Sequence, residues 1–249
     1  MRLRPGDTLI PAHGETPAYV LRISPKAASV RLVVTPREGL VVIVPKALAG
    51  FDPTPALLAR RDWIEASLAH FAEQGARFAL SPAERLPEHV AFSATGEAWH
   101  VEYALSPGRA ASARVSRDAL QVRGDSRDPE SQVAALHRWL QRAAALRLPP
   151  LLASHAERTG LVPSAVGVRG QRLRWGGCSA QGTVTLNRLL LFLEPPLVNA
   201  AMLHELAHLS VGDHSPRFWT ELEKIDPDCR AHHDALAEAW RNVPAWAEP

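Results

Sequence analysis

Cysteine is nearly absent from this chain of 249 residues: Cys178 and Cys229 are its only two. They cannot make a disulfide framework, and a reducing compartment is the default. Long apolar runs are missing as well. The plainest, residues 189–193, is far too short to cross a bilayer, which takes about 20 residues. The opening MRLRPGDTLIPAHG has no apolar core of the kind a signal peptide needs. A cytoplasmic protein without a membrane partner is therefore expected. Charge of one sign is lacking too: 28 Lys and Arg face 26 Asp and Glu, for a net +2. So mild an excess does not by itself argue for nucleic acid. No internal repeat or low-complexity tract is visible. What remains is ordinary for a globular chain, 46% hydrophobic and 22% charged, with length enough for one large domain or two small ones.

One segment is not ordinary. His204-Glu205-Leu206-Ala207-His208 reads HExxH, and a third histidine, His214, follows six residues later. Residues four apart share a helix face, so His204 and His208 can turn two imidazoles to one ion. Glu205 stands about 100° around the helix, near enough to reach a water on the metal without being a ligand. A zinc ion lowers the pKa of such a water from about 15.7 toward about 7, and Glu205 is then placed as its general base. Three protein ligands with one open position is the catalytic pattern, whereas structural zinc sites are closed. One Zn2+ on His204, His208 and His214 is expected.

The flanks agree. Glu194-Pro195-Pro196 reads as a helix start, with proline in the first turn and an acid near the positive end of the dipole. Leu197, Val198, Ala201, Met202, Leu203, Leu206 and Leu209 supply apolar surface around the histidines. Gly212 fits a left-handed position past the helix end. Ser215-Pro216 reads as the N-cap and first residue of the next helix.

Along the rest of the chain, residues 19–23, 30–35 and 40–44 read as strands, with a turn at 36–39. Residues 53–75 read as a helix and 76–87 as a connector. Short strands follow at 90–92, 98–105, 113–115 and 120–122, punctuated by turn signals at Gly96, Pro107-Gly108 and Arg117-Asp118. A long helix is expected over 129–159, with Pro149-Pro150 as a candidate kink. A sheet region is expected over 166–191, then the HExxH helix, a helix over 216–225 and a last helix from Pro227, where Asp226-Pro227 repeats the cap-then-proline pattern. The order predicts an α+β fold: a β-rich N-terminal module, residues 1–128 with one helix at about 53–75, and a zincin-like catalytic domain, residues 129–249.

Several of these stretches carry a resemblance. Arg174-Trp175-Gly176-Gly177-Cys178-Ser179, then Leu186-Asn187, the HExxH segment, and Asp213-His214-Ser215-Pro216-Arg217-Phe218-Trp219 closely resemble the YgjP-like family of predicted zinc metallopeptidases. The N-terminal half matches as well: a strand, a Ser-Pro-Lys turn, VRLVV, a strand ending Val-Pro-Lys and a helix carrying Trp63-Ile64 form that family's usual opening. The resemblance implies a gluzincin-like fold related to SprT-like proteases, with zinc on the residues matching His204, His208 and His214 and Glu205 as general base. Gly177 departs from the pattern, standing where the family usually has serine.

Other residues have two readings each. Arg174 either binds a substrate carbonyl or the oxyanion, or makes a structural ion pair. Asn187 either orients a ligand histidine or pins the turn before Arg188, the second being the commoner role. Cys178, Trp175 and Trp219 read more readily as packed residues than as site residues. A thermolysin-style glutamate ligand would be Glu221 or Glu223, but His214 is better placed. Metzincins are disfavoured, because Val211 stands where their motif has glycine and no methionine follows Met202. No tyrosine follows Tyr103, so the oxyanion donor must come from Arg174, Asn187, His232, His233 or a backbone N–H. His232 and His233 otherwise read as an exposed pair.

The expected activity is that of a zinc endopeptidase acting on a protein or peptide substrate. An alternative is a metal-dependent endoribonuclease, since bacterial rRNA-maturation endonucleases share the histidine spacing in HGxLHLxGYDH. They have glycine at the position of Glu205, which favours the peptidase. A third reading, a nucleic-acid-associated zinc protein, rests on Arg169, Arg172 and Arg174 alternating along one strand. A solvated basic face is the commoner explanation of such a pattern.

Overall fold

In the computed structural model, the described residues are 6–25, 27–35, 38–78, 81, 83–106, 110–125, 127–172 and 174–248; the side chains of Thr35 and of residues 70–78 lie outside the description. The expected turn at Pro107-Gly108 and the middle of the turn at 36–39 also fall outside it. Contacts divide the chain into two units, Met1–Leu80 and Ser81–Pro249.

The first unit is a four-stranded sheet of β1 (Asp7–Ile10), β2 (Tyr19–Ser24), β3 (Arg31–Thr35) and β4 (Gly39–Pro45), in the order β1-β2-β4-β3. The three strands expected here form. β1 gave no sequence signal: it is four residues long, with no fully buried position and no alternating face. Arg22 ties it in place, with its guanidinium on Asp7 at 2.6 Å and Glu38 at 2.9 Å. The helix expected over 53–75 is two helices, α1 (Thr54–Leu58) and α2 (Arg61–Phe78). They part where the Arg60 N–H turns back to Leu57 O, a tightened final turn. Leu57 of α1 and Ile64 of α2 join Tyr19, Val34, Leu40, Val42 and Val44 in this unit's core.

The second unit opens on another four-stranded sheet: β5 (His89–Phe92), β6 (Glu97–Leu105), β7 (Ser112–Ser116) and β8 (Ala119–Gly124), in the order β5-β6-β8-β7. This is the first sheet's topology again. Each has an antiparallel pair, a parallel central pair and a second antiparallel pair. In each, a following helix packs on the last two strands: α2 on β3 and β4, and α3 (Pro129–Thr159) on β7 and β8. The chain thus repeats a ββββα arrangement that its sequence does not display. Pairing pattern, which side-chain identity does not reveal, carries the repetition.

α3 continues through Pro149 and Pro150 and ends at Gly160, whose φ of +72° is the left-handed stop that glycine adopts without strain. It lies between two sheets. Arg138 and Arg142 donate to the carbonyls of Ala111 and Ala113 on the β7 side, at 2.7 and 3.1 Å. Gln141 donates to Val168 O at 2.8 Å on the other side. Val168 belongs to β9 (Ala165–Arg169), an edge of a three-stranded sheet with β10 (Gly176–Cys178) and β11 (Thr183–Asn187), in the order β10-β11-β9. These bonds satisfy edge carbonyls that would otherwise be open to other strands.

The sheet region stops earlier than expected. Residues Arg188–Phe192 form a 3-10 helix, not strand, because the Asn187 side chain accepts the Leu189 N–H and starts a turn. Then come α4 (Pro195–Ala207), α5 (Pro216–Ile225), α6 (Cys229–Glu238) and a 3-10 turn, Ala239–Asn242. α6 starts at Cys229 with Asp228 at its N-cap position, two residues later than the Asp226-Pro227 pattern suggested, and the Asp228 side chain makes no capping bond. Val90, Phe92, Trp99 and Leu120 share one core with Leu136, Leu140, Leu190 and Leu206. Contacts therefore place the second sheet with the residues that follow it, and their division falls at 80/81, not at the expected 128/129. The result is a mixed α+β fold. Among the described residues, no helix is long and apolar enough to cross a membrane.

Candidate metal centre

α4 starts at Glu194-Pro195-Pro196 as its sequence indicates, although the Glu194 side chain makes no capping bond. Val198, Ala201, Met202 and Leu206 bury against the main core, while Leu203 and Ala207 bury against Phe218, Leu222 and Cys229. Packed on two sides, the helix has little freedom to turn its histidines elsewhere. It ends on His208, and the chain leaves through Leu209 N–H to Leu206 O and Ser210 N–H to Ala207 O, both 3.0 Å. The reversal is made by these tight bonds. Gly212 is not left-handed, contrary to expectation; among the described residues the positive-φ glycines are Gly6, Gly14, Gly39, Gly96, Gly160 and Gly182. Asp213 then accepts the Ser215 N–H at 3.2 Å and fixes the turn around His214, while the Ser215 side chain caps nothing.

This geometry gathers the three histidines. One ring nitrogen from each of His204, His208 and His214 lies within 4.8 Å of the others. His204 Nε2 and His214 Nε2 are 3.0 Å apart, near the roughly 3.3 Å edge of a tetrahedron with zinc–nitrogen bonds of about 2.0–2.1 Å. His208 Nδ1 faces Val211 O at 3.0 Å, which sets the ring and leaves Nε2 for a metal. Beneath them lies Phe218, fully buried, with ring centroids 4.9, 4.4 and 4.9 Å from those of His204, His208 and His214. Burial, with the neighbouring imidazoles, pushes the His204 pKa down to about 3. His214 is lowered for the same reasons. Both are neutral at pH 7, the form that ligates.

Glu205 stands beside this group, 7% exposed, with Oε2 lacking any hydrogen-bond partner. Burial lifts its pKa to about 7, against the pull of the Arg174 charge. A buried carboxylate with an open oxygen next to three imidazole nitrogens is what a metal with an activated water requires, so the donor set fits zinc. Gly176 makes room for it: a Cβ there would lie 2.6 Å from Glu205 Cγ and Oε1. Sequence reasoning missed this role; the signal was the glycine pair 176–177 two residues past Arg174.

Residues of β10, α4 and α6 enclose a cleft of about 420 Å³ over the three histidines. Arg174, Gly176, Cys178 and Glu205 line it on one part, and His233, Leu236, Ala237 and Trp240 on another. Trp175 is both packed and part of the wall, stacked on Trp240 at 4.0 Å. Cys178 is half-buried in the lining, its thiol pKa raised by burial and by the Glu205 charge.

Other expected residues lie elsewhere. Asn187 is fully buried and outside the cleft lining. Its amide donates to Gln171 O and Arg174 O and accepts from Leu189 N–H, so it holds the loop that carries Arg174. The alternating basic strand does not form, because β9 ends at Arg169 and Arg172 and Arg174 lie beyond it. Glu221 pairs with Lys224 at 2.8 Å and Glu223 with Arg230 at 3.7 Å; neither is in the histidine group. The histidine pair of α6 is split. His232 Nδ1 faces both carboxylate oxygens of Asp226 at 2.9 Å, while exposed His233 lines the cleft.

The solved structure of a metallopeptidase zymogen, abylysin of Pyrococcus abyssi, is similar at 28% identity over 38% of this chain and 95% of that one, with a TM-score of 0.34. No curated protein matches. A family model described as YgjP-like, metallopeptidase domain, matches residues 28–239. With most of its length, including every residue of the histidine group, inside that match, this chain belongs to the YgjP-like metallopeptidase family.

Proposed function

We propose that this protein is a zinc-dependent endopeptidase with a zincin-like catalytic arrangement, in which His204, His208 and His214 hold one ion and Glu205 is the general base. Family membership supports a metal-dependent peptidase acting on peptide or protein substrates. The observation that carries the finer reading is the open, buried Oε2 of Glu205 in the cleft that the three histidines line.

A zinc ion in this position supplies Lewis acidity, polarising the substrate carbonyl and acidifying a water. The chain's own residues do the rest. Glu205 would take the water's proton on its carboxylate and hand it to the departing amine, and its burial, which raises its affinity for a proton, suits it to that exchange. Its low exposure keeps bulk water from competing for that proton. Arg174 favours the ionised carboxylate, and a cation at the histidines acts in the same direction. Val211 O holds the His208 ring, and Phe218 packs against all three rings. With both cysteines free, we place the enzyme in the cytoplasm.

The test is a map of new N-termini in a denatured proteome treated with zinc-loaded wild type or with Glu205→Gln. Chelator-sensitive termini made by wild type alone, with turnover about 10²–10⁴-fold lower in Glu205→Gln and zinc content equal, are expected. Identical maps from two zinc-loaded proteins would sink the peptidase reading and move RNA substrates forward.

A further inference from the structure

The cleft holds a polar group that this mechanism does not use. We propose that His233 is a catalytic residue whose imidazole N–H donates a hydrogen bond to the scissile carbonyl oxygen as that oxygen becomes an oxyanion. The proposal rests on the peptidase reading and goes beyond it.

The first argument is placement. His233, Leu236, Ala237 and Trp240 all line the cleft. Their spacing of three, four and seven residues is one face of a helical stretch, so a single face of α6 and the turn after it looks into the site. Three of the four are apolar, and His233 is the polar residue of that wall. It lies outside the ligand group: the nitrogens within 4.8 Å of one another belong to His204, His208 and His214. Yet its ring is nearly parallel to that of His204, at a centroid distance of 6.3 Å and an angle of 19°. His233 therefore stands beside the histidine group without belonging to it.

The second argument is rigidity. An oxyanion donor helps only if it is held before charge develops. α6 is held at both ends. His232 faces Asp226 at 2.9 Å at its start, and Trp175 Nε1 donates to Leu236 O at 2.8 Å near its end. Trp175 directly precedes β10, so the wall bearing His233 is tied to the strand that makes room for Glu205. Trp219 stands edge-on to the His233 ring at 5.3 Å, with its ring centroid 6.5 and 6.3 Å from those of His204 and His214. Arg230 covers the Trp219 ring at 3.9 Å, which fixes that partner in turn.

The third argument is elimination among the cleft's donors. Neither tyrosine is in the lining. Asn187 spends its amide on backbone carbonyls, and His232 is engaged by Asp226. Arg174 lies near Glu205, where its charge offsets the cost of a buried carboxylate. His233 has no such engagement among the cleft residues and needs no protonation to donate, since a neutral imidazole carries one N–H.

The experiment compares wild type, His233→Phe, His233→Gln and Glu205→Gln. His233→Phe keeps a ring against Trp219 but has no donor; His233→Gln keeps a donor. A quenched fluorescent peptide built on a mapped cleavage site gives kcat and KM. Its phosphinic analogue, which mimics the tetrahedral oxyanion, gives a Kd by calorimetry. Bound zinc and melting temperature are measured for each variant. His233→Phe is expected to keep zinc, melting temperature and KM, lose about 10²–10³-fold in kcat and lose analogue affinity in parallel, with His233→Gln partly restored. Wild-type kcat in His233→Phe overturns the proposal. So does a loss of zinc, which would make His233 a ligand, or a rise in KM alone, which would make it a contact for substrate. Wild type that is no faster than Glu205→Gln removes the peptidase reading and this proposal with it. Wild type faster than Glu205→Gln but matched by His233→Phe removes this proposal only.

Discussion

A missing side chain at position 176 decides whether Glu205 can stand where it does. A methyl group there would sit 2.6 Å from the Glu205 carboxylate, inside van der Waals contact. The neighbouring glycine is different: a Cβ at Gly177 would meet Arg174 Nη1 at 3.5 Å, an ordinary contact with a movable group. Gly176→Ala is therefore expected to cost about 1–3 kcal/mol of stability and to displace Glu205, with a large fall in kcat. Gly177→Ser, which supplies the serine usual in the family, is expected to leave melting temperature and kcat within about twofold. Thermal melts and peptide kinetics check both; equal effects at the two positions would refute this account of the glycine pair. At this scale the sequence was informative about the proposed ligands and base, because HExxH and His214 are chemistry written in residue types. It was silent about Gly176 and Phe218, whose roles are spatial: one supplies empty room, the other a floor under three rings.

At the scale of elements, the long helix α3 joins the second sheet to the rest of its unit. The joint includes a bidentate ion pair, Arg147 Nε to Glu97 Oε2 at 2.5 Å and Nη2 to Oε1 at 2.6 Å, with the guanidinium over Phe92 at 5.7 Å. The Arg147 hydrogen bonds hold the Glu97 carboxyl below its ordinary 4.5. A depressed folded pKa means that the pair's contribution is present above 4.5 and is lost as pH falls through the lower folded value. Glu97→Gln is expected to destabilise by about 1–2 kcal/mol at pH 7. The gap to wild type should shrink in acid. Urea titrations at pH 7 and below pH 4 measure it, and a gap that does not change with pH would contradict the assignment. Most element types were legible, since alternation and cap signals are local. Misreadings came where a neighbour intervened: Asn187 turned the end of β11 into a 3-10 helix, tight bonds after His208 replaced the left-handed glycine, and β1 exists because Arg22 and β2 hold it.

On the scale of the whole molecule, every residue assigned to the candidate site lies in Ser81–Pro249, and so does the core that packs α4. A fragment of residues 81–249 is therefore expected to melt cooperatively and to bind one zinc, as circular dichroism and metal analysis would report. A fragment that is molten or zinc-free would show that the first unit is needed to form the site. The first unit repeats the strand order of the second sheet and carries no member of the histidine group. The sequence by itself determined the family's reaction class and the alternation of strands and helices, and it pointed to the ligands and general base proposed above, because these depend on residue chemistry and on contacts within a few turns of chain. Tertiary structure alone decided where the chain divides, that one strand topology occurs twice, that Asn187 braces a loop, and that His233 and not His232 faces the cleft. Those outcomes depend on which distant surfaces meet, and a one-dimensional pattern does not encode the partner of a face.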